Sequence, residues 1–336
     1  MEKSPIDIVI TWVNDADPIW QKTREDTLLS LGIASDIEGN KDERFQELGL
    51  LKYWFRSMER YAPWVRKIHL VVASSSQLPD WLNLKHEKLK IIYHEDIVDG
   101  KYLPTFNSNA LEWNLHKISG LSERFLYFND DFYLCDWVKE EDFFIGEKIK
   151  DAFIMMALQP VDLFTTTMFN NARILNKYFD KKTFIKKHWS KVFNLKYGTS
   201  ILKNLLCLPW TYFTGFQNLH SVYPLTIRGM EKIWELEEEL LTAVCSHKFR
   251  HPEDVTLYIA TQYAMLSGEF VPKKVKEVKY YSDMVCDTSY QAAIRDRKYK
   301  VICLNDKLET SEDREAIGKL KEAFEETFPK PSTYEL

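Results

Sequence analysis

The sequence predicts an α/β fold with a mostly parallel sheet core and a helix-rich insert. Two observations carry the prediction. Short β-rich apolar runs alternate with segments of helical periodicity at the start of the chain. From about residue 160 to 270 the sequence turns helix-rich and aromatic, with breaks at Pro209, Gly215, Pro224 and Pro252. Residues 1–159 and 271–336 are therefore read as the α/β core, and 160–270 as a helical insert covering the active site.

The elements follow in order. "IDIVITWV" (6–13) is a strand that ends in the turn signal "NDADP". Asp17-Pro18 is an N-cap followed by proline at the first helical position, which starts a helix over 18–31. Residues 35–44 are polar and read as a loop. Residues 45–61 carry the apolar stripe Leu50, Leu51, Trp54, Phe55 and Met58 of an amphipathic helix. "KIHLVVA" (67–73) and "LKIIYH" (89–94) are strands, "NSNALEWNLHKI" (107–118) a helix, and "RFLYFND" (124–130) a fourth strand. Strands are also expected near 275–281 and in "YKVICLND" (299–306). The tail from Thr310 to Pro329 has the capping and amphipathic signals of a last helix.

With 336 residues, 45% of them hydrophobic, the chain is long enough to bury a large core. Its net charge of −5, with both signs mixed along the chain, gives no electrostatic case for nucleic acid. The five cysteines are scattered and lack metal-ligand spacing, which reads as reduced thiols in a cytosolic protein. The start of the chain runs directly into a strand, so no signal peptide is expected, and no apolar run reaches the length of a membrane span. A cytoplasmic protein follows, with at most peripheral contact at the inner face of the membrane. The sequence also lacks GxSxG, Walker-A, GxGxxG and HExxH motifs.

Ligands in open α/β sheets sit beyond the carboxyl ends of the strands. Three such ends carry polar clusters: Asn14, Asp15 and Asp17; Asn129, Asp130 and Asp131; Asn305 and Asp306. Adjacent carboxylates suit a hard divalent cation, although Asn and Asp also cap turns for local reasons. On a helix over 107–118, Asn109, Glu112 and His116 would share one face, with Asn107 and Ser108 at its start. Lys52, Arg56 and Arg60 form a cationic row that is either a phosphate-binding face or a solvated stripe. His220 and Arg250 fall in irregular segments. A base, an anion clamp and a metal seat are the parts that phosphoryl or glycosyl transfer needs.

Taken together, the segments "IDIVITWVNDADPIW", "LLKYWFRSMERYAPWVRKIHLVV", "LPTFNSNALEWNLHKISGLSERFLYFNDDFYL", "FRHPEDVTLYIATQYAMLSG" and "ICLNDKLE" resemble the Stealth proteins. That family includes bacterial capsular polysaccharide phosphotransferases and the catalytic subunit of lysosomal-enzyme N-acetylglucosamine-1-phosphotransferase. The resemblance spans nearly the whole chain. It implies a Rossmann-like core similar to that of nucleotide-sugar transferases, and transfer of a sugar-1-phosphate from a UDP-hexose or a UDP-N-acetylhexosamine such as UDP-GlcNAc. The acceptor is a glycan hydroxyl, free or lipid-linked, and UMP leaves.

Under that resemblance Asp130 and Asp131, with Asn305 and Asp306, seat Mg²⁺ or Mn²⁺. Arg250, helped by Arg56, clamps phosphate, and His220 is the general base. Trp12, Asp15 and Asp17 line the donor site, while Asn107, Asn109, Glu112 and His116 hold sugar hydroxyls or the acceptor. Lys52 departs from the Arg of many members and loses its bidentate geometry. The alternatives are a metal-dependent glycosyltransferase that releases UDP and a non-catalytic sugar-binding protein.

Overall fold

A computed structural model describes residues 4–34, 48–304 and 310–336. Its strands are β1 (Ile6–Thr11), β2 (Ile68–Val72), β3 (Leu89–Tyr93), β4 (Arg124–Phe128), β5 (Phe132–Leu134), β6 (Phe144–Ile145), β7 (Lys148–Asp151), β8 (Tyr223–Thr226), β9 (Phe270–Pro272), β10 (Val278–Tyr281) and β11 (Val301–Leu304). The main sheet has the order β3-β2-β1-β4-β8. Its first four strands are parallel, and β8 closes the edge antiparallel to β4. Every residue of β2 and β4 is buried, as expected where both faces of a parallel sheet are covered. The chain winds outward from β1 to β3 and then returns to the other side of β1 as β4, so the crevice past β1 and β4 is the topological switch point.

Beyond β4 the turn Asn129–Asp131 leads into β5, which pairs antiparallel with β11 in a second sheet of order β10-β11-β5. The Leu304 N–H donates to the Asp131 carbonyl at 3.0 Å, so the end of β11 arrives at the same turn. Two strand ends from different sheets thus meet at Asp131. A third small sheet, β6-β7-β9, completes the strands.

The helix Pro18–Leu31 starts as the sequence predicts, with Asp17 accepting from Ile19 N at 2.9 Å. The helix Leu51–Tyr61 buries Trp54, Phe55 and Met58 against the sheet; residues 45–47 of its expected span lie outside the described residues. The tail helix Ser311–Thr327 begins at a Thr310–Asp313 capping box. The segment 160–270 holds helices such as Leu163–Tyr178 and Tyr258–Leu266. It also supplies β8 to the main sheet, and its side chains join the same continuous core. Pro224 sits within β8, a position an edge strand tolerates because one side of it needs no donor.

The helix expected over 107–118 stops early. Residues Ser108–Glu112 are helical, and after Trp113-Asn114 the chain makes a separate 3₁₀ turn at Leu115–Lys117. The Asn114 side chain donates back to the Ala110 carbonyl at 2.7 Å, the kind of local bond that competes with helix continuation. No helix among the described residues is long and apolar enough to cross a membrane.

Candidate active site

Tyr127, one residue before the end of β4, is fully enclosed, and its hydroxyl lies 2.9 Å from Thr11 Oγ1 at the end of β1. The same hydroxyl donates to Glu112 Oε1 at 3.2 Å. Glu112 is the last residue of its short helix, so the early break aims its carboxylate at the switch-point crevice. Burial pushes this carboxyl up to about 7; the Arg250 charge, the Tyr127 hydrogen bond and the His220 charge pull the other way without cancelling it. A carboxyl that titrates near neutrality can hold or release a proton at working pH.

Asp131 lies beside this pair. Its Oδ2 accepts from the Cys303 thiol at 3.1 Å and is 3.7 Å from His220 Nε2. Its Oδ1 is buried and has no hydrogen-bond partner among the described residues. Asp131, His220 and Cys303 bring one ligand atom each within 4.8 Å of one another. An orphaned carboxylate oxygen fits a hard cation, and Asp130 adjoins it on the exposed side of the turn. Asn305 and Asp306, the other expected metal ligands, lie outside the described residues.

His220 is held in a conformation few residues adopt. Its φ is 46°, in the left-handed region, and its N–H donates to Asn218 Oδ1 at 2.7 Å. The ring packs edge-on against Phe132 and Tyr280, with Nδ1 3.5 Å from the Tyr258 hydroxyl. A fixed ring beside a carboxylate is the arrangement a general base needs.

Arg250 donates to Ser108 Oγ at 2.8 Å, which places a guanidinium at the start of the Glu112 helix. The loop that carries it is fixed by Asp254. This fully buried carboxylate accepts from Asn107 Nδ2 at 2.8 Å, Asn109 Nδ2 at 3.2 Å and the His251 N–H at 3.0 Å, and lies 2.7 Å from His247 Nδ1.

Several expected roles need correction. Asn107 and Asn109 donate their side-chain N–H groups to Asp254, so those donors hold a loop. His116 departs from the Glu112 face because the helix breaks before it; it packs on Trp234, and burial holds its ring down at about 4. Arg56 is buried, with all three guanidinium nitrogens engaged by Glu335, Glu325 and the Phe328 carbonyl, so it anchors the tail and is not a phosphate clamp. Arg60 likewise donates to the Thr327 carbonyl. Asp17 is occupied by its helix cap, Ser76 and Gln77. Trp12 packs into the core. Asp15 stands half-buried in the loop after β1, where its carbonyl accepts from Gln21.

The site thus brings together Asp131, His220, Arg250 and Glu112 from the expected set. It adds Thr11, Tyr127, Tyr258 and Cys303, which the sequence offered only as members of apolar runs. Tyr127 carried one usable signal, a hydroxyl inside the strand that ends at Asn129-Asp130-Asp131.

Comparison with known proteins agrees on one lineage. Residues 4–32 match the model of Stealth protein conserved region 1, residues 44–152 that of conserved region 2, and residues 292–336 that of conserved region 4. The chain is 37% identical over 331 residues to the capsular polysaccharide phosphotransferase WcwK of Streptococcus pneumoniae, covering 98% of each chain. It is 33% identical to the exopolysaccharide phosphotransferase cps2G of Lactiplantibacillus plantarum, covering 98% of this chain and 96% of the other. Among solved structures it aligns with the galactosyltransferase LgtC at 11% identity and a TM-score of 0.41, covering 97% of this chain and 96% of that one, a likeness too low to carry an argument.

Proposed function

This chain belongs to the Stealth family and is a Stealth-type transferase; from that premise we propose that it transfers a sugar-1-phosphate in the synthesis of a capsular or other surface polysaccharide. The donor is a UDP-hexose or UDP-N-acetylhexosamine, and the acceptor is a hydroxyl of a glycan. The acceptor oxygen attacks the phosphorus that bears the sugar. A new P–O bond forms, the bond to UMP breaks, and a phosphodiester results.

The observation that carries this reading is the convergence of His220, Asp131, Glu112 and Arg250 at the switch point. His220 accepts the acceptor proton, with Asp131 beside Nε2 to stabilise the imidazolium that forms. Arg250, placed against Ser108, clamps the equatorial phosphate oxygens; a guanidinium offers two parallel donors for this. Glu112, as the carboxylate, balances the Arg250 charge and holds Tyr127 in place. Asp131 and Asp130 would hold Mg²⁺ or Mn²⁺, which when bound neutralises charge on the pyrophosphate.

The test is nucleotide release. The protein is incubated with Mg²⁺, a panel of UDP-sugars and candidate acceptor glycans, and the nucleotide is identified by chromatography. UMP together with a phosphodiester product is expected. UDP would identify a glycosyltransferase and overturn the proposal.

A further inference from the structure

Residues 181–212 hold seven lysines and none of the chain's 50 acidic residues, in a protein whose net charge is −5. Asp180, the acid just before them, is taken up as the N-cap of the helix Lys181–Lys187, where it accepts from the Thr183 N–H at 2.8 Å. On that helix Phe184 and Ile185 enter the core, while Lys182, Lys186 and Lys187 are exposed. The segment is a cationic region on an otherwise acidic molecule.

The same segment turns apolar side chains outward. In the helix Ile201–Leu206 the fully buried residue is polar. Asn204 donates its amide to the Phe153 and Val192 carbonyls at 2.8 and 2.7 Å and accepts from the Met155 N–H at 2.6 Å. With Asn204 fastening the inner face, Leu202, Leu205 and Leu206 take the outer one at i, i+3 and i+4 spacing; they are 59%, 43% and 71% exposed. The chain continues into Leu208, Trp210 and Tyr212, which are exposed as well. Buried Lys181 fixes this turn against the lysine helix, its Nζ donating to the Cys207 and Trp210 carbonyls at 2.5 and 2.7 Å. Single exposed apolar residues are ordinary, but a run of six held beside a lysine row marks an interaction surface.

We propose that this face docks on an anionic lipid bilayer, an inference that goes beyond the transfer reading and does not rest on it. Lysines are drawn to acidic headgroups, leucines enter the acyl boundary, and Trp and Tyr suit the headgroup level. The same membrane repels the acidic remainder of the molecule, which orients the protein with this face toward the lipid. A second copy of the chain fits less well, because an isologous contact sets lysines against lysines with no acid in the segment to pair them. Lys203 Nζ donates to Gln217 Oε1 at 2.8 Å, so the docking face is tied to the segment that carries His220.

The experiment is flotation of the full chain with vesicles of phosphatidylcholine, alone or with about 30% phosphatidylglycerol, at low and high salt. Binding is expected to the acidic vesicles at low salt, and to be about tenfold weaker on neutral vesicles or at high salt. Two double variants separate charge from insertion: Lys186→Gln with Lys187→Gln, and Leu206→Ser with Trp210→Ser. Each should lower the affinity for acidic vesicles by about tenfold or more. The melting temperature should hold, because all four side chains are exposed. Absence of flotation with acidic vesicles, or undiminished binding in either double variant, would overturn the proposal. So would a chain that does not float and sediments as a dimer, with the Leu206→Ser, Trp210→Ser variant monomeric, since the face would then belong to a second copy.

Discussion

Asp254 and Asp131 are both carboxylates drawn into the protein, and their surroundings differ in kind. Asp254 is saturated: two asparagine amides, a backbone N–H and a histidine ring converge on it. Asp131 shares one oxygen between a thiol and a histidine and leaves the other buried without a partner among the described residues. A saturated carboxylate fixes structure, because each of its donors would lose a bond if it left. An under-satisfied one stores an unmet demand for charge, which substrate or a cation can meet. The difference separates a carboxylate that fastens structure, Asp254 under the loop that carries Arg250, from one left with unmet bonding capacity, Asp131 facing His220.

The sharpest way to break the contrast is to remove the fastener. Asp254→Ala strands four donors in a buried position and should cost ~3–5 kcal/mol of stability. Urea unfolding reads this directly, and a midpoint close to that of the unmodified protein would show that Asp254 holds nothing together.

Asp131→Asn comes next. It should leave the unfolding midpoint nearly unchanged while turnover falls about a hundredfold or more, the usual cost of losing charge stabilisation at the transition state. Retention of turnover would move the reaction away from this turn.

Glu112→Gln has the smallest expected effect and lies between the two behaviours. Burial raises Glu112 to about 7 in the folded protein. Between the ordinary carboxylate range and that value the fold keeps a proton that the unfolded chain has released, so stability falls as pH rises through the window. Above it the ionised group is the destabilised form, because its buried charge is not fully compensated. The glutamine variant should therefore be the more stable protein at about pH 8, with the advantage gone near pH 5, and its pH–rate profile should lose the step near neutrality. Parallel stability curves for the two proteins across that range would refute the raised carboxyl.

Much of this is legible in the sequence. Asp17-Pro18 announced its helix, the apolar runs at 6–13 and 124–130 announced β1 and β4, and Asp131, His220 and Arg250 stood out by residue type in non-helical surroundings. Other parts were not. Pro224 read as a break in a helix-rich stretch, whereas it sits in the edge strand β8, which tolerates a proline. Asn107 and Asn109 read as a ligand-binding helix start because their true partner, Asp254, is 147 and 145 residues away. Arg56 read as a phosphate clamp for the same reason, since its partner Glu335 is 279 residues away. Tyr127, Tyr258 and Cys303 were hidden by company: a hydroxyl or thiol within an apolar run has the signature of core filling.

The sequence by itself determined the alternation of strand and helix, the polar ends of the strands and the stock of chemical groups, because these depend on periodicity and on residues near one another along the chain. Only the tertiary structure decided which polar side chains are satisfied and which are left wanting. That is set by partners more than a hundred residues away and by how far burial strips water from each group, as it does for Glu112 and for Asp131 Oδ1.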